Sequence, residues 1–91
     1  MTKIELIGRM AEAAGISRDE ARLALEGFTV AVTEALAEGR DVRLIGFGGF
    51  SAVDRKAGTA RNPRTGEVVE RPASRTVRFR PGEGLKSALN G

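Results

Sequence analysis

The sequence predicts an α+β protein: a helical hairpin, then β-strands that open into a long hairpin arm, then a short closing helix. Three observations predict it. Apolar residues recur at helical spacing as far as Gly39, and from Asp41 the pattern turns to β-branched and aromatic residues punctuated by glycine. From Ser51 to Thr76 the only large apolar residues are Val53, Val68 and Val69, so that stretch lacks the means to build a core of its own.

Thr2 and Glu5 stand at capping-box spacing, which starts the first helix near Lys3, and Gly15 is placed to end it. Ser17 and Glu20 repeat the box before a longer apolar pattern through Leu25, Phe28, Val32, Ala35 and Leu36. Such a helix pair also suggests a DNA-reading helix-turn-helix, but its second helix carries Glu26, Glu34 and Glu38 and few bases, so a scaffold is expected. The run DVRLI-GFGGF-SAV reads as a β-hairpin, with Phe47 and Phe50 as core anchors. Its glycines are no phosphate loop, because a strand follows them and no Lys-Ser/Thr pair appears. Two charged, extended segments then flank the turn sequence Asn62-Pro63-Arg64-Thr65-Gly66, predicting the arm. Thr76, Val77 and Phe79 resume a strand, Pro81 breaks it, and Leu85, Ala88 and Leu89 suit a final short helix. Residues 1–91 read as one domain: 1–50 the helices and first strands, 51–76 mainly arm, 77–91 the last strand and helix.

A chain of 91 residues sits near the size where one core barely suffices, and without Cys or His neither disulfides nor the usual metal ligands supplement it. Association with a second chain is the expected remedy. No apolar run approaches the roughly 20 residues of a membrane span, and polar residues interrupt MTKIELIGRM, so a cytoplasmic location is expected. The carboxylates fall on amphipathic helices, where Glu5 and Glu20 read as caps, and with no His or Cys the chain is expected to be neither an enzyme nor a cofactor carrier.

Charge is sorted along the chain. Residues 1–50 hold six basic and eight acidic side chains, whereas residues 51–80 hold eight basic and three acidic. A basic, apolar-poor segment suits a polyanion, most often nucleic acid. An arm that recruits an acidic protein by charge or strand addition is the rival from another class.

Gly46-Phe47-Gly48-Gly49-Phe50, then Ala60-Arg61-Asn62-Pro63-Arg64-Thr65-Gly66, then Phe79-Arg80-Pro81-Gly82 with Leu85-Lys86, resemble in order the signature of the HU and integration host factor family of bacterial histone-like proteins. The resemblance spans the chain and is greater to the HU branch. It implies an intertwined dimer with a three-stranded antiparallel sheet and two protruding β-arms that lie along the DNA minor groove. It further implies a nucleoid-associated protein that binds double-stranded DNA largely without sequence specificity, favours bent or distorted sites, and bends and compacts them. Arg55, Lys56, Arg61, Asn62, Arg64 and Arg71 would serve the arm's contacts, Pro63 would wedge between base pairs, and Arg75, Arg78 and Arg80 would hold DNA at the arm's base. Lys3 and Lys86 match flanking phosphate positions. Gly58 and Glu83, where the family usually has a basic or hydroxyl residue and a lysine, lower the expected phosphate count; Ala60 for glycine is a mild change. An integration host factor-type subunit, pairing with a paralogue, is the alternative within the family, and the residues leave RNA open as a second polyanion.

Overall fold

In a computed structural model of the chain, which describes residues 1–91, helix α1 (Lys3–Ala14) begins at its expected cap. The Glu5 N–H donates to Thr2 Oγ1 at 3.2 Å. Gly15 ends the helix in the left-handed region at φ 68°, where a side chain would be strained, and the Ile16 N–H reaches back to the Ala11 carbonyl at 3.1 Å. Helix α2 (Arg18–Ala37) opens with a complete capping box. The Ser17 N–H donates to Glu20 Oε1 at 3.0 Å, and the Glu20 N–H donates to Ser17 Oγ at 3.1 Å.

The box holds the Glu20 carboxyl below its ordinary pKa, chiefly through the Ser17 backbone N–H and then through the Ser17 hydroxyl, with slight desolvation opposing. A carboxyl whose pKa is depressed by folding stabilises the fold above its unfolded pKa, and that contribution disappears as pH falls through the lower, folded value. Glu20→Gln should therefore lower the neutral-pH melting temperature slightly and flatten its fall below about pH 4.5, so that the two proteins converge in acid. Thermal unfolding of both proteins from pH 3 to 7 checks this.

Residues Met1–Glu34 form one compact unit and Ala35–Gly91 a second. In the first, Ile7, Ala11 and Ala21 bury against one another, with Met10, Ile16 and Leu25 packed around them. On the exposed side of α2, Arg22 pairs with Glu26 at 3.3 Å and with Asp19 at 4.0 Å. Such surface pairs contribute little stability but neutralise part of the helix's acidity.

In the second unit α2 ends, after which β1 (Val42–Leu44) pairs antiparallel with β2 (Gly48–Arg55), and β2 pairs antiparallel with β5 (Ser74–Pro81). The sheet order is β1-β2-β5. A three-residue turn, Ile45-Gly46-Phe47, joins β1 to β2 and sets their register, with Gly46 at φ 87° and the Phe47 N–H on the Leu44 carbonyl at 2.9 Å. Beyond Arg55↔Ser74 the ladder breaks at Lys56-Ala57 and Pro72-Ala73, where proline has no N–H to give. It resumes as a separate two-stranded ribbon of β3 (Gly58–Arg61) and β4 (Val68–Arg71), from Gly58↔Arg71 to Arg61↔Val68. This ribbon occupies the middle of the stretch expected as arm, 51–76, and is shorter than it: residues 51–55 and 74–76 continue the three-stranded sheet, because their pairing runs unbroken as far as Arg55↔Ser74. Helix α3 (Glu83–Asn90) closes the chain.

Alternation gives the three-stranded sheet two different faces. One carries Val42, Leu44, Phe50, Ala52, Val77 and Phe79 in register. The Phe79 ring meets Phe50 at 5.0 Å and Phe47 at 5.6 Å between centroids, both tilted, as the anchors were expected to pack. Gly48 has to be glycine here, since a Cβ would lie 2.5 Å from the Phe79 ring and 2.6 Å from the Arg80 carbonyl oxygen.

Candidate nucleic-acid interface

The opposite sheet face is built from small and basic residues. Gly49, Ser51, Val53 and Arg55 of β2 stand opposite Arg80, Arg78, Thr76 and Ser74 of β5, and Arg43 of β1 stands opposite Gly49. Arg43, Arg55, Arg78 and Arg80 thus share one face, and none has a carboxylate within ion-pair distance. Four unpaired guanidiniums on a surface of short side chains make a concentrated positive patch that oxyanions can approach closely.

Arg75 differs from what the sequence suggested. It lies on the other face, opposite Asp54, and its guanidinium donates from Nη2 to the Leu36 carbonyl at 2.8 Å and from Nη1 to the Ala37 carbonyl at 3.4 Å. Those carbonyls lie in the last turn of α2, where Leu36 also accepts from the Gly39 N–H at 3.0 Å and a cation is favourable. Arg75 therefore caps a helix C-terminus instead of joining Arg78 and Arg80, because an odd-numbered strand position faces away from the even ones. Its Nε also lies 3.9 Å from Asp54, an exposed pair of small energetic weight. Arg75→Ala is expected to lower unfolding free energy by about 1 kcal/mol, allowing for its half-exposed position, with the salt dependence of DNA binding unchanged. Urea unfolding and a salt series test the two halves of that statement separately.

On the arm, Arg61 shares a face with Thr59, Val68 and Glu70, while Arg71 shares the other with Gly58, Ala60 and Val69. The ribbon therefore presents a cation on each side, as a strip lying between two phosphate rows requires. Lys56 sits at the break, beside Arg55, Arg71, Pro72 and Ser74 around a shallow polar depression.

The tip is a tightly bonded loop. Asn62 Oδ1 accepts from the Arg64 N–H at 2.9 Å, the Asn62 carbonyl from the Gly66 N–H at 2.8 Å, and the Asn62 N–H donates to the Glu67 carbonyl at 2.7 Å. Gly66 closes the loop at φ 74°. Asn62 is thus occupied in shaping the turn, and Pro63 is left exposed at its apex. Of the flanking lysines, Lys3 opens α1, and Lys86 lies 3.7 Å from the Glu83 carboxylate in the first turn of α3. An acid there suits the helix dipole but competes with a phosphate for the same cation. Arg43 is the basic residue that the sequence reading did not single out.

A sheet with a basic face, continued by a basic ribbon that ends in an exposed proline, defines a protein of the class that binds nucleic acid through its backbone. The chain belongs to the bacterial DNA-binding protein family, whose model matches residues 1–90, and this is the HU and integration host factor family that its motifs resemble. It is 64% identical over 89 residues to the DNA-binding protein HU of Caulobacter vibrioides, covering 98% of this chain and 97% of that protein. To the HU of Geobacillus stearothermophilus it is 46% identical over 89 residues, covering 98% and 99%. Among solved structures, an Anabaena HU–DNA cocrystal structure matches with TM-score 0.88 and 36% identity over 98% of this chain and 97% of that one. HU from Thermotoga maritima matches with TM-score 0.67 and 30% identity, covering 98% of each chain. These likenesses favour the HU branch over the integration host factor alternative, and the family is one of structural DNA-binding proteins, not enzymes. No helix is long and apolar enough to cross a membrane.

Proposed function

We propose that the chain is an architectural DNA-binding protein of HU type, which binds duplex DNA largely without sequence preference and bends it. The observation that carries this reading is the sorting of charge by face: Arg43, Arg55, Arg78 and Arg80 share one sheet face, Phe50 and Phe79 lie on the other, and the ribbon beyond adds Arg61 on one side and Arg71 on the other. Arginine contacts to phosphates give affinity without reading bases, which fits binding without a preferred site.

The arm lies in the minor groove, with Arg55, Lys56, Arg61, Arg64 and Arg71 on phosphates and groove edges and Asn62 holding the tip. Pro63 wedges between base pairs, a rigid apolar ring well suited to unstacking a step. Because a wedge enters a nicked or mismatched step at lower cost, distorted duplexes bind more tightly than intact ones. Arg78 and Arg80 hold DNA over the sheet, and Lys3 and Lys86 hold the flanks. Location in the nucleoid follows from this activity.

The chain acts as a homodimer, with residues 1–91 as one cooperative domain. Support comes from burial: only Ile7, Ala11 and Ala21 are buried in the single chain, while Phe28, Phe47 and Phe79 stay 41%, 47% and 39% exposed. So much half-covered aromatic surface calls for a second chain.

Ligase-mediated ring closure tests the proposal. Duplexes shorter than the persistence length of about 150 bp close poorly by themselves. Adding the protein should raise closure yield by at least an order of magnitude for unrelated sequences alike; no increase would reject an architectural role.

A further inference from the structure

One row of the sheet sets Arg80 beside two residues with no role assigned so far, Arg43 and Gly49. Arg43, Gly49 and Arg80 stand side by side across β1, β2 and β5, so two arginines flank a residue with no side chain. With strands about 4.8 Å apart, their backbones are separated by roughly 10 Å, a gap that two guanidiniums can close on an oxyanion held between them. The same residues line a shallow depression with Asp41, Phe50 and Ser51. Both guanidiniums lack a carboxylate partner in the chain.

Gly49 is not glycine for want of room. Its φ lies outside the left-handed region, and a Cβ would make ordinary contacts, 3.5 Å to the Val42 carbonyl oxygen and 3.9 Å to Arg43 Cγ. The fold therefore tolerates a side chain at this position, and what the glycine keeps open is the floor between the arginines.

We propose that Arg43 and Arg80, across the bare Gly49, clamp one backbone phosphate of the bound duplex. This rests on the duplex-binding reading above. The occupant is a DNA phosphate because the row is continuous with Arg78 and Arg55 on the same face, which lead without an intervening acid on that face towards the arm. A phosphate gripped there takes a bidentate bond from each arginine and carries no base information.

The test compares wild type, Arg43→Gln, Gly49→Val and, as a control of equal charge loss, Arg9→Gln, by titration of a fluorescent random-sequence duplex from 50 to 300 mM salt. Melting curves establish that each variant is folded. Arg43→Gln should make the slope of log K against log salt shallower by about 0.9 for each protomer whose site is engaged, with several-fold weaker binding at 100 mM salt. Gly49→Val, with both arginines intact, should lose a comparable slope, and it decides the question if Arg43→Gln proves unfolded. Arg9→Gln should leave the slope as in wild type. A folded Arg43→Gln with unaltered slope beside a steeply salt-dependent wild type overturns the clamp and leaves duplex binding intact. Absence of salt-dependent binding in the wild type overturns the duplex-binding reading, and the clamp with it.

Discussion

Replacing Phe79 by alanine is expected to cost about 3 kcal/mol and to shift the protein from folded dimer to largely unfolded chain at micromolar concentration. Phe79 is the hub of the aromatic cluster, touching both Phe47 and Phe50, and the Gly48 backbone is shaped around its ring. Truncation removes both aromatic contacts at once and leaves a cavity that neighbouring strands are too rigidly paired to fill. Because the exposed part of the ring is read as covered by the second chain, loss of folding and loss of association should coincide. Urea unfolding at several protein concentrations, with sedimentation at each, measures both. Wild type should unfold at a midpoint that rises with concentration. A Phe79→Ala variant that remains dimeric within a degree or two of the wild-type melting temperature would count against this account of the cluster.

Replacing Pro63 by alanine is expected to abolish most of the bend while weakening binding far less, whereas Arg61→Ala should do the reverse. On the proposed reading the wedge unstacks a base step at a cost of a few kcal/mol, offset by the surface the bent duplex then touches, so the net affinity change should be small even though the geometry changes greatly. Alanine keeps the tip loop, whose bonds come from Asn62 and Gly66, and removes only the rigid ring at its apex. Arg61 supplies charge: its loss should reduce the salt slope by about 0.9 per phosphate released and leave the angle nearly unchanged. Energy transfer between dyes at the two ends of a 35-base-pair duplex reads the bend, and titration on the same material reads the affinity. Equal losses in both quantities for both variants would contradict the division of labour.

Much of this fold is legible in the sequence because its signals are local. Ser17 and Glu20 announce the start of α2 through a bond pattern four residues wide, and Gly15 and Gly66 mark turns that need a left-handed backbone. What was harder to read depends on register. Arg43 joins the basic face only because the three-residue turn at Ile45-Gly46-Phe47 sets it opposite Gly49; one residue more or less would turn it to the aromatic side. Arg75 was separable in principle, since strand parity alone sets it apart from Arg78 and Arg80, but its bonds to Leu36 and Ala37 join residues nearly forty positions apart in sequence. The break between sheet and arm is written in Pro72, yet it becomes visible only once the pairing of both strands is known.

The most direct test of the central claim is binding of the purified chain to one random-sequence duplex, intact and nicked at its centre, across a salt series. An architectural dimer held by arginine–phosphate contacts should show a slope of about −0.9 for each phosphate neutralised, several units steep in total, and bind the nicked duplex more tightly at every salt concentration. Binding that is absent, or insensitive to salt, would contradict the account and point instead to a protein partner for the arm.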